Sequence, residues 1–351
     1  MDISDLLKLE VEREASDLHL RVPSPPVLRI DGNLRVMEDL PPVTPQSVKE
    51  ALEAITTESQ RETFYRELEL DLAYSIPGLA RFRVSAYFQR GTISIAIRQI
   101  PFQVPSLEEL GLPAVCKTLV TKEKGLVLVT GPAGSGKSTT LAAMINYLNK
   151  TESKNIITIE DPIEFMYRNE KCLIAQRDLG DDTRSFATAL RHTLRQDPDV
   201  LLVGEMRDLE TMSAAITAAE TGHLVLSTLH TVSAGQTIDR IIDVFPAHQQ
   251  AQIRFQLSLT MQGVLSQTLL PRVGGRGRIA AFEILIATDA IRNLIRDGRT
   301  EQLITYIQTG RQYGMQTMDQ ALQDLVRAGL VPTEEALLRC TKPEELQRIR
   351  A

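Results

Sequence analysis

The sequence predicts an α/β protein of two domains with a helical tail, and three observations carry that prediction. From Gly125 onward, short apolar runs at residues 126–130, 156–159, 200–203 and 224–227 alternate with helical segments, the rhythm of a parallel sheet whose strands are covered on both faces by crossover helices. The first of these runs leads directly into a glycine-rich turn and a helix start. Before residue 101 the rhythm is different, and a short opening helix with period-two strands marks a smaller α+β domain.

Length and composition agree with two cores. At 351 residues the chain exceeds a single average domain, and 43% hydrophobic with 24% charged residues is ordinary globular composition, far from collagen-like or disordered chains. Taken in order, residues 1–100 form the N-terminal domain, with strands at 17–20, at 27–30 turning at Asp31-Gly32, and at 82–100 broken at Arg90-Gly91. Residues 101–113, with Pro101, Pro105, Gly111 and Pro113, interrupt periodicity and read as a linker. Residues 114–288 form the helix-covered sheet, and residues 289–351 a helical region with segments at 290–296 and 317–327.

Charge and cysteine usage narrow the partners. A formal net charge of -6 and a pI near 5.6 argue against whole-chain attraction to nucleic acid or anionic lipid, so no nucleic-acid partner is expected. Cys116, Cys172 and Cys340 are far apart and in no CxxC pair, which indicates neither a disulfide framework nor a zinc site and suits a reducing cytoplasm. No stretch approaches the ~18 to 20 consecutive apolar residues that span a bilayer. The first ten residues are acidic where an export signal is basic, so the chain reads as neither exported nor membrane-spanning.

The most specific motif is GPAGSGKST at residues 131–139, placed after a buried strand and at a helix start as a phosphate loop requires. Gly131, Gly134 and Gly136 let the backbone curl so that successive N–H groups, including those of Ala133 and Ser135, face phosphates, with Pro132 and Thr139 completing the loop. Lys137 is placed to reach the β- and γ-phosphates and Ser138 to ligate Mg²⁺. The guanine-specifying NKxD tetrapeptide does not follow the loop, so ATP is preferred.

Three further blocks lie at strand ends, where open α/β sheets place ligands. Glu160, Asp161 and Glu164 end the run at 156–159; such a cluster orients an attacking water and, through water, holds Mg²⁺, and as a bare feature it is equally a solvated acidic turn. Residues 200–203 run into Gly204-Glu205-Met206-Arg207-Asp208, with Gly204 where the second nucleotide-binding motif usually has Asp, which shifts the duty of general base or water-positioning group to Glu205. His223 and His230 bracket the fourth run; a histidine flanking a strand is often structural, and His230 at the carboxyl end is the better γ-phosphate sensor.

In this order, GPAGSGKST, TIEDPIEF, VGEMRD and GHLVLSTLHT resemble the four boxes of the secretion ATPase superfamily, over nearly the whole chain. The segments ASDLHL at 15–20, GLARFRV at 78–84 and AIRNLIRDGR at 290–299 resemble its PilT branch, the type IV pilus retraction ATPases, with Asp297 where that branch has Glu and Ala133 where many relatives have Thr. The resemblance implies a PAS-like N-terminal domain, a RecA-like P-loop NTPase C-terminal domain, and a homohexameric ring. The same resemblance implies a cytoplasmic ATPase at the inner-membrane face, pulling through a PilC-type platform protein. Arginines delivered by domain closure stabilise γ-phosphate charge in such rings, and the candidates are Arg81, Arg83 and Arg195, each of which is also a plausible surface salt-bridge residue. The helix at 290–296 is expected to bury Ala290, Ile291, Leu294 and Ile295, to leave Arg292 and Arg296 solvated, and to couple hydrolysis to pulling.

Overall fold

A computed structural model describes residues 2–30, 32–100, 104–274 and 277–347; the turn position Asp31 and the linker positions Pro101, Phe102 and Gln103 lie outside the described residues. The chain forms two compact units, Met1–Gln103 with Glu164–Met166, and Val104–Ile163 with Tyr167–Ala351.

The first unit is built on β1 (Asp17–Arg21), β2 (Val27–Ile30), β3 (Asn33–Val36), β4 (Glu69–Ile76), β5 (Ala80–Gln89) and β6 (Thr92–Ile100), antiparallel in the order β3-β2-β1-β6-β5-β4. Between β5 and β6, Arg90 at φ 50° and Gly91 at φ 77° are both left-handed, the geometry that lets a two-residue turn follow the sheet twist. Alternation then decides the faces: Phe82, Val84, Ala86, Ile93, Ile95 and Ile97 are buried against Leu7 and Leu52 from helices Ile3–Glu12 and Pro45–Ile55, while Arg83 and Arg98 are exposed. The helices Pro45–Ile55 and Glu58–Glu67 start at capping boxes, Thr44 with Ser47 and Thr57 with Gln60.

The second unit holds β7 (Gly125–Thr130), β8 (Asn155–Glu160), β9 (Leu173–Asp178), β10 (Val200–Val203), β11 (Leu224–Leu229), β12 (Met261–Pro271) and β13 (Arg278–Ile286), in the order β13-β12-β7-β11-β10-β8-β9. All pairs are parallel except β12 with β13. Every residue of β7, β10 and β11 is buried, which is why they appear in sequence as unbroken apolar runs. Successive residues feed opposite cores: Leu126, Leu128, Leu201 and Val225 pack with Met212, Ile216 and Leu257, whereas Val127, Val129, Leu202 and Leu226 pack with Leu141, Ile145 and Leu148.

The C-terminal helices are attached to this sheet. Gln316 bridges β13 through Ile284 N–H to Gln316 O at 2.8 Å, and Ala321 and Leu322 join Leu270, Ile279 and Ala281 in a small core that covers the sheet edge. In helix Asp289–Asp297, Ile291, Leu294 and Ile295 are buried. Arg292 is not solvated as expected: it donates to Ser258 O at 2.8 Å and Leu259 O at 2.9 Å, satisfying carbonyls at the end of helix Ala247–Thr260. Among the described residues no helix is long and apolar enough to cross a membrane.

Candidate active site

Strand β7 delivers the phosphate loop to the carboxyl edge of the sheet, between β12 and β11. The loop glycines take conformations that side chains avoid, with φ 143° at Gly131, 74° at Gly134 and 87° at Gly136. Pro132, Ala133 and Gly134 form the exposed tip, Ser135 is buried, and Ser138 and Thr139 are half-buried in the first turn of helix Lys137–Thr151. Gly136 caps that helix without a side-chain hydrogen bond, which leaves the positive end of the helix dipole open to an anion. Lys137 folds over the loop, its Nζ donating to Gly131 O and Pro132 O, both at 3.0 Å.

The neighbouring strands bring Glu205 and His230 together. Gly131 N–H bonds to Leu229 O at 3.3 Å, which ties the loop to the last residue of β11, one position before His230. Next to β11 lies β10, and at its end Glu205 Oε2 is 3.5 Å from His230 Nε2 while Oε1 is 2.5 Å from an Arg207 guanidinium nitrogen. The Glu205 side chain is only 13% exposed, so its charge is directed by these two partners. Hydroxyls lock the turn: Ser227 Oγ donates to Val203 O at 2.7 Å and Thr228 Oγ1 to Gly204 O at 2.6 Å. Gly204 lies close against the end of β8: a Cβ there would stand 3.3 Å from Ile159 O and 3.4 Å from Glu160 Cα.

At the end of β8, Glu160 Oε1 accepts from Thr158 Oγ1 at 2.6 Å and from Gln176 Nε2 at 3.2 Å, and Gln176 Oε1 in turn accepts from Tyr167 N–H at 3.0 Å. Burial, with the Glu160 charge added, pushes the Tyr167 phenol well above its ordinary range. Asp161 follows on the surface, and Glu164 lies in the short segment that groups with the first unit.

Other sequence candidates lie elsewhere. His223 precedes β11 at the amino edge of the sheet, with Nδ1 3.0 Å from Ala218 O, so it is not brought to the Glu205–His230 cluster. Arg195 is exposed in the turn before β10, also at the amino edge. Arg81 and Arg83 stand on β5 in the first unit, on the face opposite Phe82 and Val84. Sequence reasoning missed Arg207, whose signal was its place two residues after Glu205, and Gln267 on β12, which no local pattern marks. Gln267 Nε2 donates to Ser135 O at 2.6 Å and its Oε1 accepts from Thr140 Oγ1 at 2.7 Å.

A phosphate loop on an internal parallel strand, with an acid and a histidine at the ends of the next two strands, defines a P-loop nucleotide-binding core, here preceded by an antiparallel α+β unit. The chain belongs to the Type II/IV secretion system protein family, whose model matches residues 69–338. Over 98% of its length and 99% of the relative's, it is 51% identical to the type IV pilus retractation ATPase PilT of Pseudomonas aeruginosa. Identity to the type IV pilus ATPase PilU of the same organism is 41%, over 99% of this chain and 91% of that one. The crystal structure of the pilus retraction motor PilT with bound ADP matches at a TM-score of 0.92 and 46% identity, covering 99% of each chain.

Proposed function

We propose that this chain is an ATP-hydrolysing motor that powers type IV pilus retraction, acting as a homohexamer on a PilC-type platform protein at the cytoplasmic face of the inner membrane. The observation that carries this reading is 51% identity to a pilus retraction ATPase over 98% of the chain, a span that contains all four boxes.

Lys137 neutralises the β- and γ-phosphates, and the loop N–H groups hold them in a charge-complementary cradle. The Ser138 hydroxyl in the first turn of helix Lys137–Thr151 fits Mg²⁺, a hard cation that takes oxygen ligands, with the Glu205 carboxylate acting through water. Bound there, Mg²⁺ supplies charge compensation at the phosphate oxygens. Glu205 positions or deprotonates the attacking water, held by Arg207, while His230 senses the γ-phosphate; Glu160 and Asp161 fix the water network beside it. Arg81, Arg83 and Arg195 are assigned to γ-phosphate charge compensation on closure or across a subunit boundary, an effect worth about 10³–10⁵ in rate where an arginine supplies it. His223 has its imidazole engaged at the other edge of the sheet and is left a structural part in this scheme.

The test is phosphate release from Mg²⁺-ATP by purified protein, with mass-resolved sizing and the Glu205→Gln variant in parallel. A hexamer that hydrolyses ATP, with a variant that binds nucleotide and stalls, supports the motor; a monomer that binds without turnover overturns it. The 41% identity to PilU favours one second reading, an accessory retraction ATPase. Expression in a strain lacking every other retraction ATPase separates the two, because a principal motor restores twitching alone and an accessory one does not.

A further inference from the structure

We infer that Gln267 is a positioning residue for phosphate binding, which acts by setting the orientation of the Ser135–Gly136 peptide in the phosphate loop. This rests on the reading of residues 131–139 as the nucleotide site. Strand β12 runs parallel to β7 with Ser266 opposite Thr130, and their hydroxyls are 2.9 Å apart, so the next residue, Gln267, comes level with the first loop residue, Gly131. The Gln267 side chain is buried, at 3% exposure, and both ends of its amide are occupied: Nε2 by Ser135 O and Oε1 by the Thr140 hydroxyl. These partners fix which end of the amide is which.

A trans peptide is planar, and its C=O and N–H point in opposite directions. Pulling Ser135 O toward β12 therefore turns the Gly136 N–H away from β12, toward the concave side of the loop where an anion is held. Thr140, one turn into helix Lys137–Thr151, anchors the far end of the Gln267 amide, so strand, loop and helix are joined through one side chain. The loop glycines let β12 come this close. A Cβ on Gly131 would come within 2.2 Å of Gln267 O, and one on Gly136 within 2.9 Å of Gln267 Nε2. The β12 backbone thus leaves no space for a side chain at Gly131, while at Gly136 the contact is with the movable end of the Gln267 amide.

The experiment uses the full-length protein, its Gln267→Met, Thr140→Val and double variants, and Lys137→Ala as reference, each titrated with a fluorescent N-methylanthraniloyl ADP and assayed for ATP turnover. Methionine keeps the length of the side chain and removes both hydrogen bonds. The expected result is a Kd about tenfold higher for Gln267→Met, the loss of one well-aimed hydrogen bond to a charged ligand, and about threefold higher for Thr140→Val. The KM for ATP rises in step while kcat is unchanged, since the amide contact is made in ground and transition states alike. The double variant is no weaker than Gln267→Met, because Thr140 acts only through Gln267. Unchanged Kd in both single variants, additive losses, or a kcat loss at constant KM overturns the inference. If Gln267→Met does not accumulate folded, Thr140→Val decides alone, a threefold rise supporting the inference and no change overturning it. Failure of the underlying site reading looks different: the wild type does not bind the nucleotide, or Lys137→Ala binds it as well as the wild type does.

Discussion

Glu10 offers a stability experiment whose size follows from its surroundings. It sits on the inward face of helix Ile3–Glu12 beside Ile3, Leu6 and Leu7, at 0% exposure. Neither carboxyl oxygen has a hydrogen-bond partner among the described residues. Burial raises its pKa most, the Asp17 charge adds to this, and a weak backbone N–H interaction from Gln99, outside good hydrogen-bond geometry, opposes it, leaving a value raised from 4.5 to about 8. Asp17 itself is engaged by Arg98 at 2.8 Å and Arg29 at 3.7 Å, so those cations are committed to the other carboxylate. The sign is fixed by linkage: the unfolded chain releases the Glu10 proton near 4.5 and the folded chain keeps it until about 8, so stability falls as pH rises between them. Each pH unit costs about 1.4 kcal/mol, or tenfold in the opening equilibrium, which reaches about 3 kcal/mol at pH 7. Glu10→Gln keeps the shape and cannot ionise. Amide hydrogen exchange of peptides from helix Ile3–Glu12 and β6, corrected for intrinsic rates, reads the opening equilibrium directly. The ratio of variant to wild-type protection is expected to grow about fiftyfold from pH 6 to pH 8 and to level off about twofold higher above that. A ratio that is flat across this range, or that shrinks as pH rises, refutes the buried neutral carboxyl.

Four other substitutions are as direct. Glu205→Gln is expected to lower kcat by about two to three orders of magnitude, the loss typical of one well-placed group acting on developing charge, with ADP affinity retained; equal loss of affinity in a nucleotide titration would assign Glu205 to binding. Arg292→Ala strips the last carbonyls of helix Ala247–Thr260 of a charged donor and is expected to cost about 1–2 kcal/mol in urea unfolding; an unchanged midpoint would return Arg292 to a solvated role. Leu294→Ala empties a buried site and is expected to cost about 2–5 kcal/mol, whereas exposed Arg296→Ala is expected to stay within about 0.5 kcal/mol. Retraction lost in Arg296→Ala with ATP turnover kept would assign this helix to coupling, and retraction kept would remove that role.

Local signals carried the phosphate loop, because a buried strand, three left-handed glycines and a helix start occupy one continuous stretch, residues 125–151. Strand direction was equally local for His230 and Glu205, which follow apolar runs at their carboxyl ends, whereas Arg195, offered by the sequence as a γ-phosphate candidate, precedes β10 at the amino edge. What the sequence did not display was partnership. Strand β12 pairs with β7 across more than a hundred intervening residues, so Gln267 reads locally as a polar residue in an apolar run, and only the pairing register turns it into a support for the loop. Arg292 has the same history, since amphipathic spacing correctly buries Ile291, Leu294 and Ile295 but cannot reveal that a second helix ends beside the guanidinium.

Gly204 shows how a departure from a motif becomes legible once packing is known. Parallel pairing of β10 with β8 brings Val203 opposite Ile159, and Gly204 N–H bonds to Ile159 O at 2.8 Å. The carboxylate that an aspartate would carry at this position would have to leave from a backbone with neighbours 3.3–3.4 Å from its Cβ. Thr228 pins Gly204 through its carbonyl, and the next residue, Glu205, has His230 as a partner. The acid of this turn stands at Glu205, where its two oxygens meet Arg207 and His230.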